Sequence, residues 1–151
     1  MYKHILCPVD GSPTSNIGME EAIRLSKNQN AKLRFFHVID TYVPILDMSG
    51  DFNVAYMIEI MRENGEKVIK KAIATAEKAG LSAESQVLES VGSRAAAYIV
   101  AEAEKWPADL IVMGTHGLRG ISRLVMGSDA ENVLRTSQIP VLLVKNPHVK
   151  R

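Results

Sequence analysis

Asp109-Leu110-Ile111-Val112-Met113-Gly114-Thr115-His116-Gly117-Leu118-Arg119-Gly120-Ile121-Ser122-Arg123-Leu124-Val125-Met126-Gly127-Ser128-Asp129-Ala130-Glu131 carries the plan of the whole chain in one segment. It opens on a short apolar run, Asp109 to Met113, which reads as a buried strand. It closes on a helical pattern carried by Ala130, Val133 and Leu134. Between them, Gly114, Gly117 and Gly120 allow a tight turn and a close backbone approach to a ligand. Ser128 followed by Glu131 fits a capping box at the start of the helix. The unpaired N–H groups of such a helix start favour an anion. Arg119 and Arg123 add positive charge to the same loop. Strand, glycine loop and helix start together predict a phosphate cradle, one wall of a nucleotide site.

The same alternation covers the rest of the chain. Ile5 to Val9 predicts the first strand and Asp10-Gly11-Ser12-Pro13 a turn, with Ser12 as N-cap and Pro13 in the first helical position. The first helix runs to about Lys27, with Met19, Ala22 and Ile23 on one stripe. Leu33 to Ile39 is the second strand. Residues 40–53 are long for an internal connection and predict a lid or interface loop. A long helix from Ala55 to Ala79 follows, stopped by Gly80. Glu84 to Ser90 is the third strand, and Ser93 caps a third helix through Lys105. After the glycine loop and the fourth helix, Ile139 to Val144 is the fifth strand. Residues 147–151 form a basic tail. Alternating strands and helices, with apolar strands, predict a single α/β domain over 1–146: a five-stranded parallel sheet, doubly wound, with helices on both faces.

Composition narrows the function. With 23% charged residues and a net charge of +1, no broad basic surface for nucleic acid is expected. No apolar run approaches the length of a membrane span. The first residues lead straight into a strand rather than a signal sequence, and a single cysteine cannot form an internal disulfide; both point to the cytoplasm. Neither a dinucleotide fingerprint nor a P-loop occurs.

Gly114, two residues, Gly117, nine residues, then Gly127-Ser128 is a spacing that resembles the ATP-binding signature of the universal stress protein family. Ile5-Leu6-Cys7-Pro8-Val9-Asp10-Gly11-Ser12, His37-Val38-Ile39, the Asp109–Gly114 strand and the Pro140–Val144 strand resemble that family in the same order, so the likeness covers nearly the whole chain. It implies a fold like that of the adenine nucleotide alpha hydrolases, strand order 3-2-1-4-5, and a ligand between strands 1 and 4, where the winding reverses. It also implies that Pro8, Val9, Asp10 and Val38 hold adenine and ribose. Met113, Gly114, Gly117, Gly127 and Ser128 would hold the ribose-phosphate end. Val38 would pair with adenine through its backbone. A homodimer through the last strand is implied as well.

Each of these residues also has a plainer role. Asp10 and Ser12 can simply cap the turn before helix 1, and Ser128 can cap helix 4 without any ligand. His116 offers one donor in its neutral form, either to phosphate or to water, and Arg119 stands between ligand and solvated surface. His4 and His37 read as structural and Cys7 as a small buried hydrophobe. Asp129 departs from the family, which usually has a small or β-branched neutral residue there. Two charges ~5 Å apart at an effective dielectric of about 20 repel by ~3 kcal/mol. The expected ligand is therefore AMP, or ATP with a Mg2+ ion between Asp129 and the phosphates. The resulting expectation is an adenine-nucleotide-binding stress or signalling module. A slow ATP hydrolase or phosphotransferase using the same site is the alternative, and a receiver-like or flavin module ranks behind both.

Overall fold

The computed structural model describes residues 1–41, 53–115 and 126–146. Its elements are β1 (His4–Pro8), α1 (Pro13–Gln29), β2 (Lys32–Ile39), α2 (Val54–Lys78), β3 (Glu84–Glu89), α3 (Ala95–Lys105), β4 (Leu110–Gly114), α4 (Ser128–Thr136) and β5 (Val141–Val144). The five strands form one sheet in the order β3-β2-β1-β4-β5, every pairing parallel. This is the expected doubly wound architecture.

The period of two along each strand sorts the core into two layers. Ile5, Cys7 and Val9 of the β1 segment, Leu33 and Phe35 of β2, and Leu110 and Val112 of β4 pack under α1 and α2, against Met19, Ala22, Ile23, Ile69, Ala72 and Ala76. Leu6, Phe36, Ile111 and Met113 point the other way, under α3 and α4, against Ala96, Ile99, Ala103, Ala130 and Val133. Strands β1 and β4 are apolar because both of their faces are covered. By contrast β3 is an edge strand, ESQVLE, with its first half exposed. Its charged and amide side chains discourage pairing with another chain.

Helix boundaries bear out some caps and correct others. Ser12 caps α1 by accepting a hydrogen bond from Ser15 N–H, with Pro13 at the first helical position. Asn30, the last residue of the break expected over Asn28-Gln29-Asn30, ends that helix in the left-handed conformation. Ser93 is not a cap. The N-cap of α3 is Arg94, whose carbonyl accepts from Ala97 N–H, leaving Ser93 one residue too early. Tyr98 secures this turn instead, its hydroxyl bonded to both the N–H and the carbonyl of Val91. Ser128 is likewise not the N-cap of α4. Gly127 takes that place, because its carbonyl accepts the first helical bond from Glu131 N–H. The Glu131 carboxylate does not close a capping box but pairs with Arg135 at 2.8 Å.

Most of the 40–53 loop and all of the 147–151 tail lie outside the described residues. No helix among the described residues is long and apolar enough to cross a membrane.

Candidate functional site

The chain fills one side of the sheet with β1, β2 and β3, then returns to the other side for β4 and β5. The reversal leaves a crevice beyond the carboxyl ends of β1 and β4, the place where open α/β sheets bind ligands. Four segments meet there: the β1–α1 turn, the end of β2, the end of β4 and the start of α4.

Pro8 ends β1 opposite Phe36 and is buried. Val9 N–H still reaches the Phe36 carbonyl at 2.8 Å, after which the chain leaves the sheet. Asp10 Oδ1 accepts from Ser12 N–H at 2.9 Å, and Asp10 N–H donates to Ser15 Oγ at 3.1 Å. The plainer role of Asp10 as a turn cap is thus realised, and it uses one of the two carboxylate oxygens. Gly11 holds φ at +81°, a left-handed conformation that a side chain would strain. It also lets the turn close down on Val68 of α2. Ser12 is buried within the turn, as cap.

Val38 lies one residue before the end of β2, opposite Leu88 of β3. The direction of its backbone groups follows from its neighbours. The Phe36 carbonyl bonds toward β1, and the Ile39 carbonyl bonds to Ser90 on the β3 side. Along a parallel strand the N–H and C=O of one residue share a side, and that side alternates. The N–H and C=O of Val38 therefore face the gap that β1 has left, as reading a base edge through the backbone requires. Beyond Ile39, Thr41 is tied to Ser90 by two hydrogen bonds, 3.1 and 2.7 Å, which steer the chain toward β3 and keep the gap open.

At the end of β4, Met113 is buried, and Gly114 has a role the sequence does not show. A Cβ at Gly114 would sit 2.3 Å from the Thr14 carbonyl oxygen, and one at Gly18 would sit 2.7 Å from Gly114 N. The two glycines form a seam where the first turns of α1 press backbone to backbone on β4. Through this seam the Asp10–Ser12 turn and the β4 loop become neighbours. Thr115 N–H bonds to the Val144 carbonyl at 3.1 Å, and the Thr115 carbonyl accepts from Gly127 N–H at 2.7 Å. The two ends of the glycine loop are thereby pinned together at the mouth of the crevice.

The Gly127 N–H is spent on that pin. Ser128, Asp129 and Ala130 precede the first helical bond of α4, and the positive end of the helix lies there. Ser128 and Asp129 are exposed. His116, Gly117 and Arg119 lie outside the described residues.

A separate cavity of about 260 Å³ opens behind the β1–α1 turn, between α1 and α2, with Asn16, Asn64, Lys67 and Lys71 among its lining. Its lining includes Val9, Asp10 and Gly11 of the β1–α1 segment but no described residue of β4 or α4. The crevice is the stronger candidate, because among the described residues strand ends, a loop closure and a helix start converge there. Among the described residues no cluster of acidic, histidine or cysteine side chains could hold a metal ion.

The sequence profile of the universal stress protein family matches residues 1–145. The chain belongs to the universal stress protein family. It is 37% identical to universal stress protein MJ0531 of Methanocaldococcus jannaschii over 147 residues, 97% of this chain and 84% of that protein. Among solved structures, a universal stress protein family member from Burkholderia pseudomallei is 26% identical with a TM-score of 0.75, covering 95% of this chain and 96% of its own. A universal stress protein crystallised in complex with cAMP is also 26% identical, with a TM-score of 0.69 over 95% of this chain and 97% of its own. The solved universal stress protein structures match the five-stranded parallel sheet and its helices described above.

Proposed function

We propose that this universal stress protein binds an adenine nucleotide in the crevice between β1 and β4, as a stress-response or signalling module. The observation that carries the reading is the convergence at one sheet edge of Asp10, the outward-facing backbone of Val38 and the pinned Thr115–Gly127 loop. Pro8 and Val9 form the floor for adenine, with Val38 N–H and C=O meeting its Watson–Crick edge. The second oxygen of Asp10 meets the ribose hydroxyls. Met113, Gly114, Gly117, Gly127 and Ser128 surround the ribose-phosphate end, with His116 and Arg119 supplying donors from the loop. Ser12 acts through the turn it caps. The cAMP-bound relative supports the choice of an adenosine ligand. Asp129 favours AMP, or ATP carrying Mg2+.

The sheet edge at β5 supports a homodimer. Leu142 is exposed on this edge strand, and a second copy would cover it. A cytoplasmic location completes the reading.

Mass spectrometry of the protein under native conditions, followed by calorimetric titration of AMP, ADP and ATP with and without Mg2+, tests the proposal. Asp10→Asn separates its two roles. An amide keeps the oxygen that caps Ser12 but lacks the charge, so folding is retained while nucleotide affinity falls about tenfold. Asp10→Ala loses both. If the wild-type protein ignores all three nucleotides at millimolar concentration, the proposal is wrong. Single-turnover assays with enzyme in excess separate binding from slow hydrolysis or phosphotransfer. Hydrolysis no faster than that of free ATP retires the enzymatic reading.

A further inference from the structure

In a regular parallel ladder the rung after Val9 N–H to Phe36 O would run from Val38 N–H to the Val9 carbonyl. No such bond continues the ladder among the described residues. The Val9 carbonyl is instead 2.7 Å from Nδ1 of His37, a buried side chain. A carbonyl only accepts, so His37 carries its proton on Nδ1 and donates it there. The imidazole takes the place of the missing rung.

The ring is held against α2 at Gly65. A Cβ at Gly65 would lie 2.9 Å from His37 Cδ2 and 3.1 Å from Nε2. Gly65 lies inside a 25-residue helix, where glycine is about 1 kcal/mol less favourable than alanine. The space that glycine leaves is filled by the imidazole, with Ile39 Cγ1 at 3.3 Å beside it.

We propose that His37, seated on Gly65, is a positioning residue: by occupying the Val9 carbonyl it stops β1 from zipping further onto β2. It thereby keeps the Val38 backbone open to the base and fixes the Asp10 turn. This rests on the nucleotide-binding reading above and adds a selector to it. Adenine, with a donor at position 6 and an acceptor at position 1, matches the C=O and N–H of Val38. Hypoxanthine reverses both groups. The His37–Gly65 contact thus sets base discrimination without touching the ligand, and it links the site to α2.

The test measures dissociation constants for AMP and IMP, with urea midpoints, in wild type, His37→Phe, His37→Asn, Gly65→Ala and the His37→Asn/Gly65→Ala pair. His37→Phe removes the donor, and is expected to weaken AMP about tenfold and to collapse the preference over IMP. His37→Asn offers an amide N–H near the Nδ1 position and recovers the preference to within about threefold. Gly65→Ala lowers AMP affinity when His37 is present and has a clearly smaller effect in the His37→Asn background, where the ring is gone and only the 3.3 Å approach to Ile39 Cγ1 remains. A folded His37→Phe protein with unchanged AMP/IMP preference overturns the proposal. So does a His37→Asn protein that behaves like His37→Phe, or a Gly65→Ala effect that is the same in both backgrounds. Should the wild type bind neither nucleotide, the functional reading fails but the lock is still judged, by NMR of the ligand-free protein. Displacement of the Val9, Asp10 and Val38 amide signals in Gly65→Ala, reversed in the double variant, supports it; unmoved signals refute it.

Discussion

Gly18→Ala is a substitution whose sign the helix and the tertiary structure predict in opposite directions. Gly18 lies inside α1, and replacing a helical glycine by alanine favours an isolated helix by about 1 kcal/mol. Against β4, however, the new methyl would stand 2.7 Å from Gly114 N, 3.0 Å from Met113 C and 3.3 Å from Met113 Cα. All three are backbone atoms of a fully buried strand, so no side chain can swing away. Helix α1 must retreat by several tenths of an ångström, loosening Met19, Ala22 and Ile23 from the layer beneath. Overpacking of this kind destabilises by about 1–3 kcal/mol, and the unyielding neighbours place the effect at the upper end. After the propensity gain, a net loss of about 1–2 kcal/mol remains. For a domain of this size each kcal/mol moves the melting temperature by roughly 2–4 °C, so a drop of about 2–8 °C is expected. Thermal melts followed by circular dichroism, checked by urea titration, measure it. Ala74→Gly on the exposed face of α2 is the control and should lose about 1 kcal/mol by propensity alone. If Gly18→Ala melts at or above the wild-type temperature while the control behaves as stated, the backbone seam between α1 and β4 does not exist as described. The Asp10 turn and the β4 loop are then not held together through it.

Four further outcomes are expected. Asp129→Asn should raise affinity for Mg2+-free ATP relative to AMP by roughly tenfold or more, the scale set by like charges brought to about 5 Å; an unchanged ratio in calorimetry rules out this repulsion. Arg34 bonds Glu102 at 2.8 Å where the carboxylate is only 6% exposed, so Arg34→Ala strands a buried charge and should lower stability by about 3 kcal/mol, with Glu102→Gln in the same chain restoring part of it. The Arg34 guanidinium also holds the neighbouring Glu84 carboxyl below its ordinary 4.5, aided by Trp106 N–H. A depressed carboxyl contributes stability above its unfolded pKa and loses it as pH falls through the folded value. The acid limb of a Tm-against-pH curve should therefore begin below about pH 4.5 and be shallower in Arg34→Ala. Finally, Cys7 is fully buried and burial pushes its thiol far above the ordinary range. Thiol reagents should label it only at the rate of unfolding, and labelling of native protein within minutes would contradict its place under α1 and α2.

The number, order and kind of the elements can be read from the chain alone, because short continuous apolar runs and 3.6-period stripes are local properties of sequence. Ser12-Pro13, Gly80 and the Asp10-Gly11 turn are equally legible, since each acts on its own backbone within a few residues. The capping of α3 and α4 is not. Ser93 and Ser128 are good capping residues one position away from where the cap falls, and the α4 start is displaced by a bond between Gly127 and Thr115 across the loop. The glycines show the same division more sharply. Gly114 and Gly127 carry, through their spacing, the resemblance on which the proposed site rests. The folded molecule adds that Gly114 is small because the Thr14 carbonyl lies against it, and that Gly65 is small because His37 does. A glycine records that something approaches closely, but its partner lies in another part of the chain, and packing alone brings the two together.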